Sequence, residues 1–473
     1  MMGREHWVET SLGNVGEIVT GNTPSKSNTA FYGKEYPWIK PDELDNEEFL
    51  FSSKEMLSSL GAKQARVLPK NSVLVSCIGN LGKIAISGKE LATNQQINSI
   101  IFKDSIVDYK FGFHYIKTIK ELLYQYASTT TLPIINKSKF SNIPFPLPPL
   151  NEQKRIVEKL DAILPKVKSA KARLDKIPSI LKKFRQSVLS AACSGKLTED
   201  WREGYPNLEN GDTIYTRTKS FNKSTNIEYM ENEFGWFTTK AENITSRITK
   251  GTTPKSGDIH ANGPIPYLKV YNIVDQSINF HYKSQYVSKE THKGFLQRSI
   301  IYPGDVLMNI VGPPLGKVAI TPDEFEEWNI NQAIAYFRPI KELIISEYLY
   351  IVLCDGKPIQ EISKEFRGSA GQQNISLEQS RNFLIPIPSL EEQYEIVRRV
   401  ENLFALADSL ESKYKKAMER VDKIEQSVLA KAFRGELVEP DPSDEPASEL
   451  LKRIIEEKAK LMVGNKYRKK PLR

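Results

Sequence analysis

The sequence predicts an α+β fold written twice. Two globular domains stand in tandem repeat, separated by two long helices packed as an antiparallel coiled coil, with a pseudo-two-fold relating the halves. Three features of the 473-residue chain point to it. Motifs recur at an offset near 240 residues, each repeat ends in a long apolar stripe of helical period, and each begins with short β-rich runs punctuated by Gly and Pro.

The repeat comes first because it sets the boundaries. GNTPSKS at Gly21 matches GTTPKSG at Gly251, an offset of 230. LPKNSVLVSCIGNLGKIAI (Leu68 to Ile86) matches YPGDVLMNIVGPPLGKVAI (Tyr302 to Ile320) at 234, and NQQIN at Asn94 matches NQAIA at Asn331 at 237. LNEQKRIVEKL from Leu150 matches LEEQYEIVRRV from Leu390 at 240, and RQSVLSAACSGKL from Arg185 matches EQSVLAKAFRGEL from Glu425, still at 240. The offset drifts through the first part of each repeat and then stays fixed from 150 to 197. Loops absorb insertions, whereas a packed helix in fixed register does not. Each half is therefore a variable globular block followed by a rigid segment.

In the first rigid segment apolar residues fall at Ile156, Leu160, Ile163, Val167, Ala170, Leu174, Ile177, Leu181, Phe184, Val188 and Ala191. In the second they fall at Ile396, Val400, Leu403, Ala407, Leu410, Tyr414, Ala417, Val421, Ile424 and Val428. Spacing that alternates four and three is a coiled-coil seam, so these residues are expected at a helix–helix interface. A helix of about 40 residues is about 60 Å long. Pro165 and Pro178 should kink or interrupt the first helix; the second has no proline there. A stripe this narrow needs a partner helix, and the other repeat supplies the one of matching length. A two-fold perpendicular to the helices makes the pair antiparallel. The alternative is that each helix lies on its own block.

The first globular block spans 1–149 and the second 230–388. NSVLVSCIGNLGKIAIS and GDVLMNIVGPPLGKVAIT alternate apolar stretches with Gly turns, as strands and hairpins of a mainly antiparallel sheet do. Helical patches are expected at Phe113–Ala127 and Ser346–Asp355. The long helices occupy 150–195 and 389–437, and 196–229 is a polar, turn-rich connector. The end, 438–473, opens with the acidic, Pro-rich VEPDPSDEPASE, read as an extended linker. LKRIIEEKAKLMVGNKYRKKPLR follows, with nine Lys or Arg against two Glu: a short amphipathic helix with a basic tip, or a polyanion-binding tail.

Composition narrows the function. Apolar residues make up 40% of the chain, without a run long enough to span a bilayer or a signal-peptide core at the start, so no membrane partner is expected. Cys77, Cys193 and Cys354 are scattered and odd in number, which argues for a reducing, cytoplasmic setting and against a disulfide framework or zinc site. A net charge of +8 tilts the partner toward polyanions, nucleic acid first.

Catalytic constellations are not found in the sequence. LGK-I/V-AI at Gly82-Lys83 and Gly316-Lys317 lacks the spacing of a phosphate loop and reads as a strand turn. His6, His114, His260, His281 and His292 show no metal-ligand spacing. Pro440-Asp441 with Glu456-Glu457-Lys458 mimics a nuclease motif, but its first half is in the Pro-rich linker. GPPL at Gly312 has Gly and Leu where an amino-methyltransferase motif has a polar and an aromatic residue. A Gly-rich fingerprint for a methyl donor is missing as well.

Motif order, duplication and helix length together resemble the specificity subunit of Type I restriction-modification systems, over about 1–437. The residues that carry the resemblance are Pro146 to Val157, Phe184 to Ala192 and Ser194 to Arg202, with second copies at Pro386 to Gln393 and Gln426 to Gly435, and the GxTP openings at Gly21 and Gly251. The resemblance implies a non-catalytic subunit with two domains, each reading one half of a split double-stranded DNA target. The paired helices would set the gap and dock two modification (methyltransferase) subunits, which restriction (endonuclease/translocase) subunits join. No cofactor is then expected in this chain; S-adenosylmethionine, ATP and Mg²⁺ would be used by the other subunits.

By the same resemblance, the DNA-facing residues of the first block are Thr23, Lys26, Lys40, Lys83, Asn94, Gln95 and Gln96, with Asn136 and Lys137. In the second block they are Thr253, Lys255, Lys269, Lys317, Asn331 and Gln332. Gln372, Gln373 and Asn374 lie in a Gly-rich loop and have side chains able to bond adenine bidentately. The competing readings are a self-contained DNA methyltransferase or nuclease, and a coiled-coil scaffold without a DNA role. Methylation by the chain alone would favour the first, and DNA binding without steep salt dependence the second.

Overall fold

The computed structural model describes residues 4–128, 132–222, 227–232, 234–363 and 374–456. The chain divides into two compact units, Met1–Asp175 with Lys416–Arg473, and Lys176–Lys415. Each therefore holds one globular block and a share of both long helical segments.

In the first unit a five-stranded sheet runs in the order Gly16–Thr20, Ile97–Phe102, Val73–Ser76, Ile84–Ser87, Phe49–Leu50. All neighbours are antiparallel except the last pair. Val73–Ser76 and Ile84–Ser87 are buried at every residue. Val73, Val75, Ile84 and Ile86 face Phe111 and Phe145, whereas Leu74 and Ala85 face Ile39, Leu68 and Leu91. A sheet covered on both faces reads as a continuous apolar run, hence VLVS and IAIS. The second layer is a four-stranded sheet, Met56–Leu57, Tyr32–Ile39, Leu91–Thr93, Val67–Leu68, whose central pair is parallel.

The second unit repeats both layers. Thr245–Lys250, Ile334–Pro339, Val306–Asn309 and Val318–Ile320 form an antiparallel sheet. Tyr286–Val287, Ile265–Leu268, Trp328–Ile330 and Ile300–Ile301 form the other, again with a parallel central pair. The parallel pairs place Trp38 beside Ala92 and Tyr267 beside Asn329, at offsets of 229 and 237, within one residue of those read from the GxTP and NQ motifs. Each block is thus built on two main sheets, at least one of them mixed, rather than on one antiparallel sheet.

The duplicated Glu-Gln of LNEQ and LEEQ anchors each long helical segment to its block. Gln153 Nε2 donates to Ile106 O and Pro148 O, both at 3.0 Å, and its Oε1 accepts from Asp108 N at 2.9 Å. Gln393 Nε2 donates to Leu343 O at 2.9 Å and Pro388 O at 3.0 Å, and its Oε1 accepts from Ile345 N at 2.9 Å. The preceding residues, Glu152 and Glu392, are also buried.

The first long segment is two helices, Leu150–Leu174 and Ile177–Ser194. Pro165 sits within the first without ending it, and the break falls at Asp175-Lys176. Pro178 occupies the first turn of the second helix, where a missing N–H and a fixed φ are tolerated. The second long segment is one helix, Leu390–Phe433. Within each unit the pairing is antiparallel. Lys171 Nζ meets Asp422 Oδ1 at 2.7 Å in the first unit. In the second, Arg185 Nη2 meets Asp408 Oδ1 at 2.6 Å and Arg399 Nη1 meets Asp200 Oδ1 at 2.6 Å, so partner numbers fall as residue numbers rise.

The expected seam needs one correction. Ile156, Leu160, Leu181, Val188, Ile396 and Val400 are buried, and Ile163, Leu174, Phe184, Leu403, Tyr414, Val421 and Val428 are partly covered. Leu410 and Ile424, however, are 43% and 48% exposed. The covered face runs through Ile396, Ala407, Met418 and Leu429, spaced by eleven. Eleven residues in three turns is 3.67 per turn, so a strict seven-residue stripe drifts off that face by mid-helix.

The connector and the tail also differ from expectation. Glu199–Glu203 and Gly211–Phe221 are helical, and Ile214 and Ile227 join the second unit's core. Residues 447–456 are helical, with Ala447, Leu450 and Ile454 buried, and Leu450 and Ile454 part of the first unit's core. Arg155 grips Asp444 through Nη1–Oδ1 at 3.3 Å and Nη2–Oδ2 at 2.8 Å. The acidic segment before them is therefore docked, not an extended linker. Gly211, Ile214 and Thr218 are the buried residues of the connector helix, and Ala447, Leu450 and Ile454 repeat that spacing in the tail helix at an offset of 236. The basic tip lies outside the described residues.

Candidate nucleic-acid interface

In each unit, backbone bonds draw three separate loops to one edge. In the first, Cys77 N donates to Gln96 O at 2.8 Å and Ile135 N donates to Cys77 O at 2.9 Å. In the second, Ile310 N donates to Ala333 O and Ile375 N to Ile310 O, each at 2.9 Å. The GxTP loop joins from the other side. Asn22 N donates to Thr93 O at 3.0 Å, and Thr252 N to Ile330 O at 3.1 Å. A Cβ on Gly21 would meet Thr93 Oγ1 at 2.2 Å, and one on Gly251 would meet Ile330 O at 2.1 Å. Only glycine fits so close an approach, which explains the repeated first residue of the motif.

Most of the sequence-predicted residues gather here. Thr23 Oγ1 donates to Gln95 Oε1 at 2.5 Å, and Asn94 Nδ2 to Gln96 Oε1 at 2.9 Å. Thr23, Lys26, Gln95, Thr253, Lys255 and Gln332 are exposed. Asn136 is exposed too, but its Oδ1 caps Lys137–Ser141 by accepting from Lys139 N at 2.9 Å; Lys137 beside it is exposed. Asn331 donates its N–H to Leu268 O at 3.0 Å, next to Lys269, and its Oδ1 is buried without a partner. Asn374 is exposed, and its Oδ1 accepts from Gly312 N at 3.3 Å. Gln372 and Gln373 lie outside the described residues.

Three lysines are less available than expected. Lys40 is paired with Glu55 and lies 5.1 Å over the Trp38 ring. Lys317 Nζ donates to Ile273 O at 3.1 Å. Lys83 is half-buried at the hairpin base, where its N–H bonds Ser76 Oγ at 2.9 Å. Burial pushes the Cys77 thiol up to about 12, and the Tyr267 hydroxyl likewise. Both are neutral structural groups at this edge. Among the described residues, groups of three or more His, Cys, Asp or Glu placed to hold a metal ion are absent, and no helix there is long and apolar enough to cross a membrane.

The edge is built for hydrogen bonding to a polar surface, and it exists twice. The family model for the Type I restriction modification DNA specificity domain matches residues 4–179 and again 235–420, together more than half of the chain. The chain belongs to that family. It is 34% identical over 381 residues to the EcoBI specificity subunit of Escherichia coli, covering 77% of this chain and 75% of the relative. It is 27% identical over 482 residues to the EcoKI specificity subunit of Escherichia coli K12, with 96% of each covered. The fold is shared with the HsdS subunit from Thermoanaerobacter tengcongensis, at a TM-score of 0.56 and 20% identity over 92% of this chain and 98% of the other. A chain solved in work on complex assembly and conformational transition of the Type I R-M system matches with a TM-score of 0.68 and 20% identity over 92% of this chain and all of the other.

Residues of the two specificity domains that sequence reasoning missed fall in two groups. Glu152, Gln153, Glu392 and Gln393 were visible as a repeated motif, but their anchoring role needs the partners Trp7, Trp236, Asp108 and Ile345. Arg66 and Arg298 reach the GxTP loops from segments that the motif comparison left unaligned.

Proposed function

We infer that the chain is the DNA-recognition subunit of a Type I restriction-modification system, and that it contributes recognition rather than chemistry. The observation that carries this is the duplicated polar edge within two matches to the DNA specificity domain family. The relatives' designation as specificity subunits supports it. Nothing in the family match favours a self-contained enzyme or a scaffold without a DNA role.

In this reading each domain reads one half of a split, asymmetric double-stranded target. The loops at the two edges differ, Gln95-Gln96 against Gln332-Ala333, so the half-sites differ. The antiparallel helical segments fix the gap and dock two modification subunits, which restriction subunits join in the cytoplasm. S-adenosylmethionine, ATP and Mg²⁺ are then bound by those subunits, which carry out methylation and ATP-dependent cleavage. Exchanging residues 1–149 for the equivalent block of a relative tests the modular part. One half-site should change while the other half and the gap persist. A change in both halves would refute it.

A further inference from the structure

An arginine in each unit stands at the reading edge, without a charge partner among the described residues. Arg66 N donates to Asn22 Oδ1 at 2.9 Å, and its Nη1 donates to Thr20 O at 2.6 Å. Arg298 Nε donates to Thr252 Oγ1 at 2.9 Å. Both residues are exposed, and among the described residues neither forms an ion pair. A guanidinium has five N–H donors, so one side-chain bond to the loop orients the group and leaves the others open.

The two arginines are not repeat counterparts. Val67 lies beside Ala92 and Ile300 beside Asn329 in equivalent strand pairs. Arg66 therefore corresponds to Ser299, and Arg298 to Ala65. The local chain differs as well: the helix Ser59–Gln64 precedes Arg66, whereas the 3-10 turn Gln297–Ser299 contains Arg298. Different backbones, one residue out of register, deliver the same group to the same loop.

We propose that Arg66 and Arg298 are phosphate contacts that seat each domain on the duplex backbone, a proposal that rests on the DNA-recognition reading. The base-reading positions differ between the domains, whereas the guanidinium is present in both. What two different half-sites share is the phosphate backbone. A guanidinium held by the protein at one nitrogen presents its remaining fork to phosphate bidentately, and does so without competition from a carboxylate. Lys40, which is paired with Glu55, does not meet that condition.

The test uses the complex of the chain with its modification partner. Binding to duplexes with and without the target is measured over a range of KCl concentrations. Arg66→Ala and Arg298→Ala should each weaken binding on the order of tenfold, by the same factor on both duplexes. Each should also lower the slope of log K against log [KCl] by about 0.9, the increment for one phosphate. Arg66→Lys and Arg298→Lys should keep the wild-type slope. Thermal unfolding of each variant complex separates lost contact from lost fold. Unchanged affinity and slope would overturn the proposal, as would a loss confined to the target duplex, which would make the arginines base readers. A wild-type complex without preference for its target overturns the recognition reading itself, and does so before any variant is made.

Discussion

Trp236 Nε1 donates to Glu392 Oε2 at 3.0 Å, and Trp7 Nε1 donates to Glu152 Oε1 at 2.9 Å. The same indole–carboxylate bond thus closes each unit where a globular block meets its long helical segment. Glu392 also accepts from Thr198 Oγ1 at 2.6 Å and from Arg202, whereas Glu152 takes His6 Nε2 at 2.6 Å. The repeated Glu-Gln is a mechanical joint, and the identity between copies at this motif reflects packing, not reading.

Removing one side of this joint should be costly. Glu392→Ala leaves Arg202, Thr198 and the Trp236 indole without their acceptor in a buried site. A loss of about 3–5 kcal/mol is expected, as for breaking a buried charged pair. Denaturant unfolding measures it, with Glu391→Ala on the exposed neighbouring position as the near-neutral control.

The drift of the covered helix face makes a second prediction. Ile396→Ala empties a fully buried site and should cost about 2–5 kcal/mol. Leu410→Ala, on the same seven-residue stripe but 43% exposed, should cost well under about 1 kcal/mol. Similar losses at the two positions, read by thermal unfolding, would restore the strict heptad seam.

Acid sensitivity should centre on His114. Burial holds its imidazole down at about 4, from an ordinary 6.5; Asp161 nearby opposes that, while Lys117 and Lys110 add to it. Both ring nitrogens are buried without a hydrogen-bond partner, and Nε2 lies 3.9 Å from Asp161 Oδ1. Above pH 6.5 the ring is neutral folded or unfolded, and this contribution is complete. As pH falls from 6.5 toward 4, the unfolded chain takes up a proton that the folded chain does not, so stability falls, by at most about 3 kcal/mol. Ile351 occupies the matching helical position in the second unit. His114→Ile should therefore flatten the dependence of unfolding free energy on pH across this window. A slope equal to wild type would remove His114 from the account.

The GxTP glycines are predicted to be intolerant. Gly21→Ala places a methyl against Thr93 and Asn94 backbone oxygens at 2.3 Å, and should cost about 1–3 kcal/mol while abolishing recognition of one half-site. Gly257→Ala, whose added Cβ meets nothing within 4 Å, should be silent. Unfolding and methylation assays on both variants check this.

Much of this architecture was legible because the chain states it twice. The constant offset of 240 from Leu150 onward located the long helices, and drifting offsets marked the blocks. Other features were illegible for physical reasons. The break at Asp175-Lys176 lies between Pro165 and Pro178, and only packing decides which proline a helix tolerates. Leu410 and Ile424 looked like seam residues because seven-residue and eleven-residue stripes diverge only after several turns. The docked tail was hidden because its acidic, Pro-rich composition resembles a linker, while Leu450 and Ile454 join a core formed mostly by residues of the first block, far earlier in the chain. At the candidate interface, Thr23, Gln95 and Gln332 were singled out through their motifs, and the structure leaves all three exposed. Arg66 and Arg298 were not, since a one-residue register shift defeats motif matching.

The most direct test of the central claim is to co-express the chain with its modification partner and map methylated adenines across the host genome. Two unlike half-sites separated by a fixed, unspecific gap are predicted. Methylation at one continuous short site, or none from a stable complex, would contradict the account.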